Sequence, residues 1–182
     1  MCIRDRVYNV SWFASVMFAE WVGARLPLEP EWEYACRAGT KTRFWSGDTD
    51  EDLARVGWTA DAQFNGGNAQ GHPHPVAQKP KNAWGLHDVH GNVLEWCADA
   101  KGDYAPRTDG LTVDPRRLTF AVGGRPPELA VSANRGASRV LRGGSWLGTP
   151  RDARCAVRYR DVPSLTDRNL GFRLLLCPPE QP

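Results

Sequence analysis

The 182 residues carry 23 Lys and Arg against 21 Asp and Glu, a formal net charge of +2 with no long basic run, so a nucleic-acid partner is not expected. A 41% hydrophobic content suits one domain with a real core. No apolar stretch approaches the roughly 20 residues of a membrane-spanning helix, and the amino terminus lacks the apolar stretch of a signal peptide, so no membrane partner is expected either.

Residues 1–6 fit neither a helix nor a strand and read as a leader foreign to the domain. Residues 11–22 predict the first helix, with apolar Phe13, Val16, Met17 and Trp21 at three- and four-residue spacing and Gly23 as its stop. Residues 29–38 predict the second, opened by Pro27 and Pro30 and stopped by Gly39. Beyond Gly39 the chain breaks into short segments separated by Gly, Pro, Asn and Asp, with short apolar or alternating runs at 139–141 and 171–176. Eight Trp, 18 Gly and 14 Pro imply many turns pinned by aromatic anchors, hence an α+β fold with much irregular structure. Residues 101–138 are rich in Gly, Pro and Arg and read as a surface excursion with Tyr104 and Phe120 as local anchors. Residues 178–182 read as a fraying tail.

Several residue types stand out within this frame. Trp32, Trp84, Trp96 and Trp146 read as core anchors, and Gly143, Gly144 and Gly171 as positions of backbone constraint. Arg142, Arg158 and Arg173 suit either buried, hydrogen-bonded roles or the wall of a polar cleft. Asp88, Gly91, Val93 and Glu95 alternate along a segment that can offer two carboxylates and two backbone carbonyls, an oxygen-only set suited to calcium. The plainer reading is that Asp88 and Glu95 cap turns or pair with arginines. His72, His74, His87 and His90 cluster in sequence, but no cysteine or acidic residue stands beside them at a recognised metal-ligand spacing, so they read as surface or loop residues.

Five motifs occur in fixed order. Asn9-Val10-Ser11-Trp12 leads into the first helix, "RLPLEPEWEYACRAG" spans 25–39, "NAWGLHDVHGNVLEWCAD" spans 82–99, "RVLRGGSW" spans 139–146, and "DRNLGFRLL" spans 167–175. The order resembles the formylglycine-generating, or sulfatase-modifying factor, domain family, whose fold is similar to a C-type lectin scaffold. The pattern starts abruptly at about Val10, so the resemblance implies an amino-terminally truncated domain over residues 7–177. It further implies a structural calcium held by the Asp88 and Glu95 side chains and the Gly91 and Val93 carbonyls. Cys36 and Cys155 match cysteines that secreted members join in a disulfide, which implies that pairing and an extracytoplasmic location if the surroundings are oxidising. A reducing cytosol would leave them as small buried thiols packed near each other. The partners of a second family disulfide would stand at Ala19 and Leu174, and both are absent.

The oxidase of this family binds copper through two cysteines that follow its Gly-Gly-Ser-aromatic motif, soft thiolates being what copper(I) prefers. Here the first position is Gly148 and residues 149–154 contain no cysteine, so copper is not expected. The resemblance then leaves a substrate- or ligand-binding scaffold for an unknown small molecule or peptide, with Ser145, Trp146, Arg158, Arg160, Asp161 and Arg173 as the candidate cleft. Ergothioneine-type sulfoxide synthases carry a similar domain beside an iron-binding bundle. This chain lacks their His-x-x-x-His-x-Glu motif, so iron is expected only if another domain supplies it. A non-catalytic module presenting a variable loop at 147–168 is the third reading.

Overall fold

The computed structural model describes residues 7–61, 63, 66–102 and 137–176. The expected leader and tail, Cys2, Cys177, Tyr104, Phe120 and nearly all of the 101–138 segment lie outside these described residues.

Helix α1 (Trp12–Trp21) begins where Ser11 Oγ accepts the Ala14 N–H, and strand β1 (Ala24–Arg25) follows at once. Helix α2 (Glu29–Arg37) starts where the Glu31 carboxylate accepts the Leu28 N–H at 2.8 Å, while Arg25 clamps the same carboxylate at 2.6 and 2.7 Å. Helix α3 (Asp50–Val56) has a reciprocal capping box between Thr49 and Asp52 and was not anticipated.

Strands β2 (Leu94–Ala100), β3 (Arg139–Arg142), β4 (Tyr159–Asp161) and β5 (Leu170–Gly171) form one sheet in the order β4-β3-β2-β5. The pairings are antiparallel except β2 with β5, which is parallel. Strand β6 (Leu175–Leu176) pairs antiparallel with β1 in a second, two-stranded sheet. The run expected at 171–176 is therefore split between two sheets.

Alternation along β2 and β3 builds the core on both faces of the larger sheet. Cys97 and Val140 join Trp32, Cys36, Val89 and Cys155 on one side. Trp96 and Leu141 join Trp12, Leu26 and Leu170 on the other. Strand β2 reads Leu-Glu-Trp-Cys-Ala-Asp-Ala and buries its charged Glu95 beside Trp96 and Cys97, so alternation of polarity could not reveal which of its faces is buried.

The apolar spacing expected for α1 holds only in part: Phe13 and Val16 pack against the core. Trp12, Ser15 and Ala19 face inward, whereas Met17 is 70% and Trp21 81% exposed. The helix is apolar on every side, so spacing alone could not choose its buried face. The anchor is specific: Trp12 Nε1 donates to the Cys97 carbonyl at 2.9 Å. Trp84 also departs from its expected core role, being 47% exposed with its ring against Tyr34 at 4.7 Å. Trp32, Trp96 and Trp146 are buried as expected.

Candidate functional site

Glu95 sits at the start of β2, buried, and its carboxylate is the hub of a polar group inside the fold. Trp32 Nε1 donates to Oε2 at 2.7 Å, and Arg173 donates through Nε to Oε2 at 2.5 Å and through Nη2 to Oε1 at 2.8 Å. The same guanidinium reaches the carbonyls of His87 and Asp88 at 3.2 and 3.4 Å. Arg173 is thus a partner of Glu95 and part of the frame, and the plainer reading of Glu95 as an arginine partner describes this contact.

The segment leading to Glu95 is irregular because its backbone is forced to be. Asp88 has φ +53 and accepts the Ala77 N–H through Oδ2 at 2.9 Å. Gly91 has φ +71, and a Cβ there would lie 2.0 Å from the Trp58 carbonyl oxygen, so only glycine allows the two backbones to meet. The Asp88 and Glu95 carboxylates and the Gly91 and Val93 carbonyls are oxygen donors of the hard type that calcium takes. A carboxylate oxygen can accept more than one bond, so a cation here would share Glu95 with Arg173.

A second group assembles from three distant parts of the chain. Cys36 on α2, His90 in the loop before β2, and Cys155 after the 3-10 turn Pro150–Ala153 place their ligand-type atoms within 4.8 Å of one another, all buried. The disulfide implied for Cys36 and Cys155 is not formed: the Sγ atoms are 3.7 Å apart, against about 2.05 Å for a bond. Instead Cys36 donates its S–H to Cys155, which holds the Cys155 thiol at about 5, well below its usual range and against the effect of burial. Burial pushes the Cys36 thiol up. His90 is a loop residue, one of the two expected alternatives, but not a surface one, since its ring is fully buried against Phe44. The two thiols, 119 residues apart, were expected to be neighbours from the family resemblance, whereas His90, 54 residues from Cys36, was not, because no local spacing encodes its approach.

The expected cleft residues do not converge. Ser145 and Trp146 are core residues: Ser145 Oγ accepts the Leu147 N–H, and Trp146 packs on Ala69 and Val93. Gly144, at φ +73, would place a Cβ 2.8 Å from Ala153 Cα, which explains the glycine before them. Gly148 turns back to Ser145, donating to its carbonyl at 3.0 Å, and accepts the Ala60 N–H at 2.9 Å. Arg158 and Arg160 line one concavity, to which Arg173 does not contribute. Its volume is about 410 Å³, and Lys101, Gly102 and Tyr159 complete its lining. Arg158 is fixed by the buried Glu29 through two contacts of 2.5 Å, and Arg160 is exposed. Tyr159 donates to Asp152 at 2.5 Å, and burial with that bond raises its phenol above the usual range. Asp161 accepts the Val162 N–H and points its charge into the following turn. Lys101 and Tyr159 line the same concavity but were not among the expected cleft residues.

The small curled sheets, the long irregular loops and the five ordered motifs define a formylglycine-generating-type scaffold. The chain belongs to the family of the sulfatase-modifying factor enzyme 1-like domain, which matches residues 4–177. It is 34% identical over 172 residues to serine/threonine-protein kinase pkn1 of Chlamydia pneumoniae, covering 93% of this chain and 24% of the kinase. It is 34% identical over 181 residues to the formylglycine-generating enzyme of Streptomyces coelicolor, covering 92% of this chain and 51% of that enzyme. The chain therefore spans about a quarter to a half of the length of these relatives. Among solved structures, Treponema denticola variable protein 1 superposes with TM-score 0.74 at 24% identity, over 94% of this chain and 70% of that one. PvdO from Pseudomonas aeruginosa superposes with TM-score 0.67 at 28% identity, over 94% and 61%.

Proposed function

We propose that this domain binds an anionic small molecule or an acidic peptide in the concavity of Lys101, Arg158, Tyr159 and Arg160, as a ligand-binding module without copper oxidase chemistry. The supporting observation is the charge of that concavity. Among the described residues that line it, three side chains are cationic and none is acidic, and Glu29, which holds Arg158, is also engaged by Arg142. The surplus positive charge favours a carboxylate or phosphate, with Arg158 pre-oriented by Glu29.

The reading against oxidation rests on Gly148 and on residues 149–154, which supply no thiolate for copper. Copper-loaded protein is expected to leave a sulfatase-derived peptide unoxidised, and Gly148→Cys alone is expected to stay inactive for want of a second thiolate. A fluorescent hexaglutamate peptide should bind more tightly than its hexaglutamine counterpart at low salt. The pair Lys101→Ala and Arg160→Ala should weaken it about tenfold, roughly 1.4 kcal/mol. Equal binding of both peptides, or no effect of the substitutions, refutes the site.

Calcium at Asp88, Gly91, Val93 and Glu95 is the second part of the proposal. An ion bound only to the folded chain stabilises it by about 2.7 kcal/mol at a hundredfold excess over Kd. For a domain of this size that is a rise in Tm on the order of 5–10 °C. Magnesium, which demands tighter octahedral geometry, should give much less. A calcium titration with no shift in Tm counts against the site.

A further inference from the structure

We propose that the reduced chain holds a thiophilic d10 cation, zinc(II) or copper(I), between Cys36 Sγ, Cys155 Sγ and His90 Nε2. This site is separate from the concavity proposed above and from the calcium segment.

The sulfur spacing already matches such an ion. Two thiolates at about 2.3 Å from a tetrahedral metal lie about 3.8 Å apart. Cys36 and Cys155 stand at 3.7 Å without a covalent bond. His90 Nε2 is 4.0 Å from Cys36 Sγ, where a bound imidazole would sit at about 3.5 Å. A shift of about half an ångström closes that gap.

The imidazole is presented in the tautomer that a metal requires. His90 Nδ1 lies 2.7 Å from the Ala153 carbonyl oxygen, which can only accept, so Nδ1 carries the proton and Nε2 the lone pair. A backbone carbonyl on the distal nitrogen is the usual device for orienting a metal-bound histidine. Nε2 now accepts the Trp45 N–H at 3.1 Å, a bond that the cation would replace.

Charge and access also suit the ion. Two thiolates neutralise a divalent cation, and both thiol protons leave to solvent on binding. Arg142 Nη2 donates to the Cys155 carbonyl at 2.7 Å and fixes that loop behind the sulfur. Cys36 lines a cavity of about 190 Å³ with Trp32, Leu86, Val89 and Arg173, which gives the ion an approach and a water ligand room to complete its shell.

The test uses the full chain with Cys2→Ser and Cys177→Ser, so that terminal thiols do not contribute. Reduced protein is equilibrated with zinc, copper(I) or cobalt(II) and desalted. Bound metal is then measured by mass spectrometry, and cobalt by its sulfur-to-metal charge-transfer absorption. One equivalent per chain is expected, with retention of zinc over copper(I), or the reverse, identifying the preferred ion. Cys155→Ser and His90→Gln should lower retention at least tenfold, while Cys97→Ser should not. A control without substitution uses diamide, which takes two electrons and two protons from the thiols, joins the sulfurs and must abolish binding. Substoichiometric metal on reduced, folded protein overturns the proposal. So does a cobalt spectrum without thiolate bands, or binding that survives diamide.

Discussion

Replacing Arg142 by Met is expected to destabilise the domain by about 3–5 kcal/mol, a large part of the roughly 5–15 kcal/mol that holds an ordinary domain folded. The side chain has no exposed surface. Its guanidinium donates to Glu29 Oε1 at 3.1 Å, to Glu33 Oε2, and to the Cys155 carbonyl at 2.7 Å, and it lies over the Trp32 ring. Met fills much of the volume but donates nothing. Glu29 keeps Arg158, whereas the buried Cys155 carbonyl loses its charged donor and Glu33 retains only Arg37. Arg142→Lys should recover little, because one ammonium cannot replace a planar fork directed at three acceptors. Urea unfolding followed by tryptophan fluorescence measures the change. A midpoint within about 0.5 kcal/mol of the parent refutes the role assigned to Arg142.

Trp96→Ala is expected to cost about 3–5 kcal/mol by a different route, loss of packing. The indole is fully buried among Trp12, Leu26, Leu141 and Leu170, and its Nε1 donates to the Val10 carbonyl at 3.0 Å. Alanine leaves a cavity under α1 and removes the bond that ties the segment before α1 to the sheet. Trp96→Phe should restore most of the packing and leave about 1 kcal/mol for the lost hydrogen bond. The same denaturation experiment tests the order: parent above Phe, Phe above Ala.

The sequence disclosed the scaffold through residues whose roles are local. Ser11, Pro30 and Gly39 mark helix limits, and the observed helices α1 and α2 fall within them. Helix α3 was missed because seven residues with only Leu53 and Val56 buried give too short a periodic pattern, although Thr49 and Asp52 already spelled its cap. What could not be read were contacts made between motifs. Arg173 lies 78 residues from Glu95, and nothing in either neighbourhood says that one closes on the other. Arg158 and Arg160 stood in the expected cleft, but Ser145 and Trp146 belong to the core, Arg173 to Glu95 and Asp161 to the turn after β4, and the concavity is completed by Lys101 from the end of β2. His90 was read by its neighbours in sequence, whereas its environment comes from α2 and from the loop after β3.

The last strands set an order on events during synthesis. Strand β5 lies beside β2, and β6 closes on β1, near opposite ends of the described chain. Until residues 170–176 have left the ribosome, Trp12, Leu26 and Trp96 lack Leu170, and the edge of β2 is bare. Until that segment emerges, the nascent domain carries an unfinished apolar face. Closure between segments this far apart in sequence is slow by nature.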